Sequence, residues 1–524
     1  MLPLLPLAAA LLRPPLPPRP PVRMSSSDFD APLRTFLRLS SRLLDTAEDA
    51  VLLARRLPAR PLAVDESLER WKAPSAKPRV LVVGFGWGAH ALVKDRPLRL
   101  PPPASPPPSP PPPPPPLHPA LRSTPMLGAG TVEYRSITEP ARAANPRAAF
   151  LEGSVSHIDP SSCTATIEFG GGEKLELTYD ICVYAAGVRP SVTGVPGENC
   201  LFLKEVEDAL KLRRAVASSL EKASRPGLSA AERARLLTFV VVGGGPTGVE
   251  YTGELSDFIN DALRRLYPQL LPFARVVLLH GGADLLPGFD EALRQKALES
   301  LRSLRVDVRL QTRVEEVLSP SQLTVRAASG ELLDLPCGAI IWAAGTGPHA
   351  LTQRLLSSLP PPADPFGRLA VDAWLRVVGA PPGTLFALGD AAACGGLPQT
   401  AQVAAQQGAY LARMLNRGYD LARTPPAHVA AGGGDVGAYL RLRGAVEAPR
   451  FEFINLGILA YVGGGEALSQ VQLGERRLLT EAGSTGFLLW RSVYVVKQVS
   501  PRTRLLVLFD WFKTKLFGRD VTLW

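Results

Sequence analysis

The sequence predicts an α/β protein with two Rossmann-like dinucleotide-binding domains and a C-terminal amphipathic, membrane-associated helical region. Three observations support this prediction: a glycine-rich turn that occurs twice, a later small-residue turn at nearly the same distance from each, and an apolar stripe near the C-terminus. At 524 residues the chain is long enough for two or three domains. Its 46% apolar and 20% charged residues are typical of a globular protein. No apolar run approaches the roughly 18 residues of a membrane-spanning helix, which excludes an integral multi-span protein.

The N-terminal segment, residues 1–77, is predicted to be a transit peptide followed by a linker. Its first 27 residues contain three arginines and no acid, and the first carboxylate is Asp28. Arginine with leucine, alanine and serine and without acids is typical of an organelle transit peptide. A proline-rich tail without ordered structure is the alternative.

The first glycine-rich turn opens a domain predicted for residues 78–235. An apolar run over 80–83 leads into Gly84-x-Gly86-x-x-Ala89 and then into a helix-compatible segment. In such a turn the first glycine permits the tight bend, and the second lets a pyrophosphate approach the backbone. The third small residue lets the helix pack on the strand, so that the amides at its N-terminus face the phosphates.

The second glycine-rich turn repeats this pattern more completely, in a domain predicted for residues 236–360. The segment FVVVGGGPTGVE supplies Gly243, Gly245 and Gly248, and a helix-like segment and an apolar strand over 275–279 follow it. Glycine-rich turns also occur in unrelated α/β proteins. The repetition within one chain favours two nucleotide-binding units of one design.

Each glycine-rich turn is followed by an apolar strand that ends in a small-residue turn. These strands read VYAAGVRP and IWAAGTGP, and they contain Gly187 and Gly345. From Gly84 to Gly187 is 103 positions, and from Gly243 to Gly345 is 102 positions. The near-equal spacing supports the prediction of two related units.

A third signature predicts that the chain returns to the first unit over residues 361–440. The segment TLFALGD reads as a strand that ends in Gly389 and Asp390. A carboxylate and free backbone at the end of such a strand suit the ribityl or phosphate portion of FAD. A helix-capping aspartate is the alternative.

Several longer segments extend these motifs into a family resemblance. They are GWGAHALVKD, GTVEYRSITEPAR, VVVGGGPTGVEYTGEL, LPQTAQVAAQQGAYLA, NLGILAYVGG and LLWRSVYVVKQVSPRTRLLVLFDWFKTKLFGRD. Together they resemble the two-dinucleotide-domain flavoproteins, and among these the type II, or alternative, NADH:quinone oxidoreductases. The resemblance runs from about residue 79 to the C-terminus and is interrupted at 96–123. Relatives that pass electrons through a cysteine pair are excluded, because the sequence has no CxxC or CxxxxC motif.

The resemblance implies a reaction and two cofactors. FAD would bind at the first glycine-rich turn, and NADH, with NADPH as a second candidate, at the turn around Gly245. Hydride would pass from the nicotinamide to the flavin, which would then deliver two electrons to a quinone without pumping protons.

The resemblance also implies catalytic residues. Glu250 would be the carboxylate near the nicotinamide and flavin; a charge stabilised by the helix N-terminus is the alternative. Gln402 and Gln406 share one helical face and would contact flavin and quinone, against the alternative of solvated glutamines. Lys497 is a further candidate for the same pocket.

The C-terminal region, residues 441–524, is predicted to lie on a membrane. Residues 487–519 contain seven basic residues and one acid. Apolar residues recur there at helical spacing, and Trp490 and Trp511 are expected at the level of the lipid headgroups. The stripe consists of Leu505, Leu508, Phe509, Phe512 and Leu516. A buried helix at a homodimer interface would show the same stripe, and the two arrangements are compatible.

The tract at 96–123 departs from the pattern of a dinucleotide unit. It should contain a second strand ending in an acid that binds ribose. Instead, 14 prolines lie within residues 101–120, and neither Asp nor Glu occurs between Asp95 and Glu133. We expect either a surface insert or artefact of conceptual translation, such as an unspliced intron, or a protein that holds FAD poorly.

His280 is the second departure, because it stands where the second unit should carry the corresponding acid. Without that carboxylate, repulsion of a 2′-phosphate disappears. The sequence therefore predicts relaxed choice between NADH and NADPH.

Composition limits the remaining functions. Five cysteines without metal-ligand spacing exclude a zinc ribbon, and six scattered histidines form no metal-binding motif, so no metal site is predicted. The net charge of +10 has no accompanying nucleic-acid motif. The expected partners are a quinone, a membrane surface and a second copy of the chain. The expected location is peripheral on the mitochondrial inner membrane, with the chloroplast thylakoid as the alternative. Alternative functions are a flavoprotein with a soluble acceptor and a flavin-deficient nucleotide-binding membrane protein.

Overall fold

The computed structural model describes the chain from residue 71 to residue 519 with several gaps. The described residues are 71, 78–94, 117–119, 124–145, 148–191, 197–360, 364–428, 446–473, 476–498 and 500–519. All of them belong to one structural unit. The predicted transit peptide and most of the 96–123 tract lie outside the described residues.

The first unit is built on three parallel strands. Ile181–Tyr184 lies in the centre, between Val80–Val83 and Leu385–Ala387. Helices Trp87–Lys94 and Ala401–Arg417 share an apolar core with this sheet. The two helices approach so closely that a methyl group added at Gly408 would lie 2.0 Å from the carbonyl oxygen of Gly88.

The second unit is built on five parallel strands. Their order is Asp307–Arg309, Arg275–Leu279, Thr238–Val242, Ala339–Trp342 and Leu201–Phe202. The three inner strands are almost continuously apolar, as expected for parallel strands covered on both faces. The predicted α/β class with two Rossmann-like units is confirmed.

The sequence places the boundary between the first and second units at 235/236, and the observed topology differs. Leu201–Phe202 already pairs with Ala339–Trp342 in the second sheet, and helix Val206–Ala223 packs in the core of that unit. A strand of two residues is too short to show periodicity in the sequence, which is why the earlier crossing was missed.

Each unit carries a three-stranded antiparallel meander directly before the parallel strand that leads to its small-residue turn. The meander strands are Ser154–Asp159, Thr164–Glu168 and Lys174–Thr178 in the first unit, and Arg313–Ser319, Gln322–Arg326 and Leu332–Pro336 in the second. The same inserted element thus accounts for much of the near-equal spacing seen in the sequence.

The C-terminal region consists of a three-stranded antiparallel sheet and two helices. The antiparallel strands are Ile458–Gly463, Glu466–Leu473 and Arg476–Glu481, and the helices are Gly483–Val496 and Pro501–Phe517. Tyr461, Trp490 and Val507 belong to the same apolar core as Phe239 of the second unit. Within the described residues, no helix is both long enough and apolar enough to cross a bilayer.

The remaining elements are short or connect these sheets. The helices are Thr124–Gly128, Tyr134–Ile137, Ala141–Ala144, Ala230–Leu236, Pro246–Phe258, Arg264–Leu266, Glu291–Ser303 and Ala350–Ser358, with a π-turn at Ile259–Leu263 and 3-10 turns at Gly197–Asn199, Pro268–Phe273 and Gly389–Ala391. The short strands are Leu117–Pro119, Thr138–Pro140, Arg189–Pro190, Thr346–Gly347, Leu369–Ala370, Ala392–Ala393, Tyr419–Asp420 and Ala427–His428.

Candidate active site

The first glycine-rich turn lies at the carboxyl end of strand Val80–Val83. Gly84 has φ +90°, and a methyl group there would lie 2.6 Å from the carbonyl oxygen of Ala185. Only glycine fits this left-handed, close-packed position. Gly86 precedes the helix and accepts a hydrogen bond from the amide of His90 at 2.9 Å, while Ala89 is fully buried. The turn therefore presents the N-terminus of helix Trp87–Lys94 at the sheet edge where phosphates bind.

Gly389 and Asp390 lie at the same edge of the first sheet. The amide of Gly389 donates to Oε1 of Gln407 at 2.7 Å, and Lys204 Nζ donates to Oδ2 of Asp390 at 3.0 Å. Gln407 is almost completely buried. The sequence reasoning missed both Gln407 and Lys204, because Gln407 adjoins Gln406 without a motif of its own and Lys204 lies far away in the sequence.

The second glycine-rich turn shows the three roles expected of its glycines. Gly243 has φ +124°, and an added methyl group would lie 2.8 Å from the carbonyl oxygen of Ala343. At Gly248 the same group would lie only 1.9 Å from the carbonyl oxygen of Gly243, so helix Pro246–Phe258 packs directly on the turn. At Gly245 it would meet no protein atom within 4 Å. Gly245 thus leaves the open backbone that a pyrophosphate needs.

The two small-residue turns meet between the units. Arg189–Pro190 pairs antiparallel with Thr346–Gly347. Gly187 and Gly345 immediately precede these strands, so the structure brings together two predicted positions that are distant in the sequence. The carboxyl ends of strands Ile181–Tyr184 and Ala339–Trp342 therefore converge on the junction at which two dinucleotides would face each other.

Glu250 is the fifth residue of helix Pro246–Phe258, just past its first turn. Its Oε1 accepts a hydrogen bond from the backbone amide of Tyr461 at 3.3 Å. The carboxylate is therefore positioned by the C-terminal sheet. Its catalytic role stays a prediction.

Gln402 and Gln406 both face the loop before strand Ile458–Gly463. Gln406 exchanges two hydrogen bonds with the backbone of Ile454, at 2.9 and 3.0 Å, and Oε1 of Gln402 accepts from the amide of Leu456 at 3.4 Å. These amides join the first unit to the C-terminal region. Contact with flavin or quinone stays a prediction, as it does for Lys497, which lies at the end of helix Gly483–Val496.

A buried ionic cluster fastens the C-terminal end to helix Pro246–Phe258. Arg519 donates to Oε2 of Glu254 at 2.5 Å and lies 3.6 Å from Oδ2 of Asp257. Oε2 of Glu254 also accepts from Oγ1 of Thr131 at 2.6 Å, and Oδ2 of Asp257 accepts from the hydroxyl of Tyr461 at 2.5 Å.

In this cluster, burial and ion pairing shift the pKa values in opposite directions. Burial raises the pKa of Asp257, and the hydrogen bond from Tyr461 opposes that shift. Burial alone would lower the pKa of Arg519, but Glu254 and Asp257 outweigh it and raise that pKa. A cation held in this way keeps the last helix against the nucleotide-binding unit.

The two C-terminal tryptophans are placed differently from the prediction. Trp490 and Trp511 are only 7% and 6% exposed, so their expected position at the lipid headgroups is wrong. Trp490 stacks on Tyr461 with ring centroids 5.4 Å apart, and Arg491 lies 4.7 Å above the ring of Trp511. Apolar packing against the second unit outweighs interfacial placement.

The apolar stripe itself is exposed as its spacing suggested. Its five residues are between 47% and 68% exposed, whereas Val507 and Asp510 on the opposite face are buried. Two of the seven basic residues, Arg491 and Arg519, point into the protein. Arg502, Arg504 and Lys515 are exposed near the stripe.

The donor groups present fit a pair of dinucleotides. The first turn and Asp390 would hold the pyrophosphate and ribityl portions of FAD, and the second turn would hold the pyrophosphate of a nicotinamide nucleotide. On the outer side of Val80–Val83, the part of the chain that the structure describes contains no further paired strand. The predicted loss of the second strand concerns 95–123, of which only Leu117–Pro119 is described.

Two glycine-rich turns at converging sheets define the class of the protein as an FAD- and nicotinamide-nucleotide-binding oxidoreductase. The chain accordingly matches the family model for pyridine nucleotide-disulphide oxidoreductases over residues 114–408, and the model for the NDH2 C-terminal domain over residues 455–520. Within this class, the chain belongs to the family of type II NADH:quinone oxidoreductases, and FAD and NADH are the cofactors of that family.

Relatives from several eukaryotes support this membership. The chain is 33% identical to a probable NADH dehydrogenase of Dictyostelium discoideum, covering 85% of this chain and 91% of that protein. It is 31% identical to the mitochondrial external NADH-ubiquinone oxidoreductase 2 of Saccharomyces cerevisiae, covering 85% and 82%. NDH2 of Plasmodium falciparum in complex with NADH shares the fold at a TM-score of 0.72 and 22% identity, covering 85% of this chain and 100% of that one.

Proposed function

We propose that the protein oxidises NADH or NADPH and reduces a membrane quinone through bound FAD, without pumping protons. The observation that carries this proposal is the convergence of two glycine-rich turns beside a C-terminal region with an exposed apolar stripe. FAD, when bound, supplies the redox chemistry, taking hydride from the nicotinamide and passing two electrons to the quinone.

The chain contributes binding, positioning and exclusion of water. The N-terminus of helix Pro246–Phe258 would bind the nucleotide pyrophosphate above Gly245, and the carboxylate of Asp390 would bind the ribityl chain. Lys204 pairs with Asp390, and this partly buried ion pair orients the carboxylate. Gln402 and Gln406 would line the acceptor side, where they already fix the Ile454 loop.

The acceptor argues for contact with lipid, because quinones dissolve in the bilayer. Leu505, Phe509 and Phe512 project from helix Pro501–Phe517 on the face opposite its packed side. An apolar face of this kind with exposed cations lies in a membrane interface without spanning it. The names of the mitochondrial relatives support a mitochondrial location, and we propose the inner membrane as the surface.

The activity is tested with purified full-length protein, NADH and a quinone carried in liposomes. We expect NADH oxidation coupled to quinone reduction and no acidification of the liposome lumen. Reduction of ferricyanide with no reduction of the quinone would favour the alternative, a flavoprotein with a soluble acceptor. A colourless protein that binds NADH would favour the flavin-deficient alternative.

Membrane contact is tested by liposome flotation with two pairs of substitutions. Phe509→Glu with Phe512→Glu should abolish flotation, because two charges would enter the acyl boundary. Leu332→Glu with Phe366→Glu changes two equally exposed apolar residues elsewhere and should leave flotation intact. Loss of a dimer in sedimentation, with flotation retained, would instead assign the stripe to the homodimer interface.

A further inference from the structure

The end of strand Arg275–Leu279 is the place where a Rossmann unit recognises the adenosine ribose. His280 occupies that position, and its Nδ1 accepts a hydrogen bond from the amide of Gly244 at 3.1 Å. The imidazole is therefore folded over the glycine-rich turn, and with Nδ1 accepting, its remaining N–H lies on Nε2. The site presents a donor where a ribose-binding carboxylate would present only acceptors.

The loop after His280 is locked against the strand that carries Arg313. The amide of His280 donates to the carbonyl oxygen of Arg309, and the amide of Thr312 donates to that of His280, each at 2.9 Å. Gln311 similarly donates to the carbonyl oxygen of Gly282 at 2.9 Å. Three backbone hydrogen bonds thus fix the position of Arg313 relative to the ribose end of the site.

Arg313 lies directly over Gly281. A methyl group added at Gly281 would be 3.2 Å from Cγ and 3.5 Å from Nε of Arg313. The absence of a side chain at Gly281 therefore leaves room for the arginine stem beside the strand end. The first residue past His280 and the first residue of the meander form one surface.

The neighbouring charges leave Arg313 as the available cation. Asp307 is held by Arg275 and Arg309, at 2.5 and 2.9 Å. Asp284 is likewise held, by Arg294 at 2.8 Å.

The strand partner of Arg313 is already neutralised. Arg326 lies directly opposite Arg313 in the meander and pairs with Glu315 at 2.7 Å. Arg313 is exposed, and among the described residues its guanidinium has no hydrogen-bond or ion-pair partner. The hydrogen bond from Arg326 is the main cause of the lowered pKa of Glu315. The charge of Arg313 is the smallest of the several influences on that pKa.

We infer that Arg313 binds the 2′-phosphate of NADPH, with the Nε2–H of His280 as a second donor, so that the protein accepts NADPH as well as NADH. A guanidinium matches phosphate geometry through two parallel hydrogen bonds and carries its charge at every physiological pH. This inference rests on the proposed function for the second unit as the nicotinamide-nucleotide site, and it adds the residues that set the choice of donor.

The test is equilibrium binding of NADP⁺ and NAD⁺ to the full-length protein by calorimetry, which requires no turnover. Arg313→Met should weaken NADP⁺ binding by about tenfold or more, in line with the loss of a charged hydrogen bond. NAD⁺ binding should change by less than about twofold. Arg302→Met removes an exposed arginine near the end of helix Glu291–Ser303, outside this pair of strands, and should leave both affinities unchanged.

Introducing the missing carboxylate at position 280 provides a second, independent variant. His280→Glu should weaken NADP⁺ binding and retain or strengthen NAD⁺ binding, because a carboxylate repels phosphate and accepts from the ribose hydroxyls. Equal weakening of both nucleotides by Arg313→Met, or no NADP⁺ binding by the parent protein, would overturn the inference. Failure of the proposed function would appear separately, as absence of quinone reduction with NADH whatever the nucleotide affinities.

Discussion

The two dinucleotide units share a glycine-rich turn but differ in how the strand before that turn is supported. Thr238–Val242 is buried along its whole length and pairs on both sides, with Arg275–Leu279 and Ala339–Trp342. Val80–Val83 is only partly buried over its first three residues and, within the described part of the chain, pairs only with Ile181–Tyr184. The same local motif can therefore sit in a rigid setting or a weakly supported one.

The C-terminal region adds to this difference. It shares its apolar core with the second unit and fastens onto helix Pro246–Phe258 through Arg519. The first unit reaches only the segment before the C-terminal sheet in the hydrogen bonds of Gln402, Gln406, Trp374 and Tyr410. The nicotinamide half is thus braced, and the flavin half is expected to be the more labile of the two.

The largest expected effect comes from removing the ion pairs that Arg519 makes with Glu254 and Asp257. Arg519→Met leaves Glu254 and the neighbouring Asp257 buried without their cation, which costs about 3–5 kcal/mol. The midpoint of denaturant unfolding followed by fluorescence of the buried tryptophans measures it. Arg502→Met, a change at an exposed arginine of the helix that precedes Arg519, should cost less than about 0.5 kcal/mol. Equal midpoints for the two variants would contradict the claim that Arg519 stabilises the contact between the C-terminal region and the second unit.

Next in size is overpacking at the two turns. Gly248→Ala places a methyl group 1.9 Å from a carbonyl oxygen in the rigid unit. Overpacking of this kind costs about 1–3 kcal/mol or more. Gly84→Ala places its methyl group 2.6 Å from a backbone oxygen and adds the strain of φ +90°. The partly buried strand before it can shift to relieve that contact, so we expect the smaller loss here. Thermal unfolding of both variants compares them, and a larger loss for Gly84→Ala would reverse the proposed order of rigidity.

A smaller effect concerns binding alone. Gly245→Ala meets no protein atom, so the fold should keep its stability to within about 0.5 kcal/mol. The methyl group would occupy the approach of the pyrophosphate, and NADH affinity should fall by about tenfold. Titration of NADH fluorescence measures this. Unchanged affinity would place the phosphates elsewhere.

The smallest effect is expected at Lys204. Its ion pair with Asp390 is partly exposed, and such pairs contribute about 0.2–1 kcal/mol. Lys204→Met should therefore change the unfolding midpoint little while increasing the rate at which FAD is lost on dialysis. If the variant retains FAD as well as the parent protein does, Lys204 does not contribute to FAD binding.

The sequence predicted what is local and missed what is distant. The turns at Gly84 and Gly243 were predictable because a tight bend, a close approach and a helix start impose residue types within a few positions. Arg519 and Glu254 are 265 positions apart, and no local pattern announces their contact. Trp490 and Trp511 were misplaced for the same reason, since composition cannot show which face of a helix meets a core.

The helix that carries the glutamines shows the limit within a single motif. Its periodicity predicted that Gln402 and Gln406 share a face, and both do face the loop around Ile454 and Leu456. Gln407, one position further, turns inward and holds the amide of Gly389. The sequence pattern identified the helix, but which of its amides faces the FAD-binding edge follows from how the helix packs, including its close approach to Gly88 at Gly408.

The most direct test of the central claim is an anaerobic absorbance titration of the purified full-length protein. The protein should be yellow, NADH should bleach its flavin bands in a single stoichiometric step, and added quinone should restore them. A protein that stays colourless after incubation with excess FAD, or a flavin that NADH does not bleach, would contradict the account.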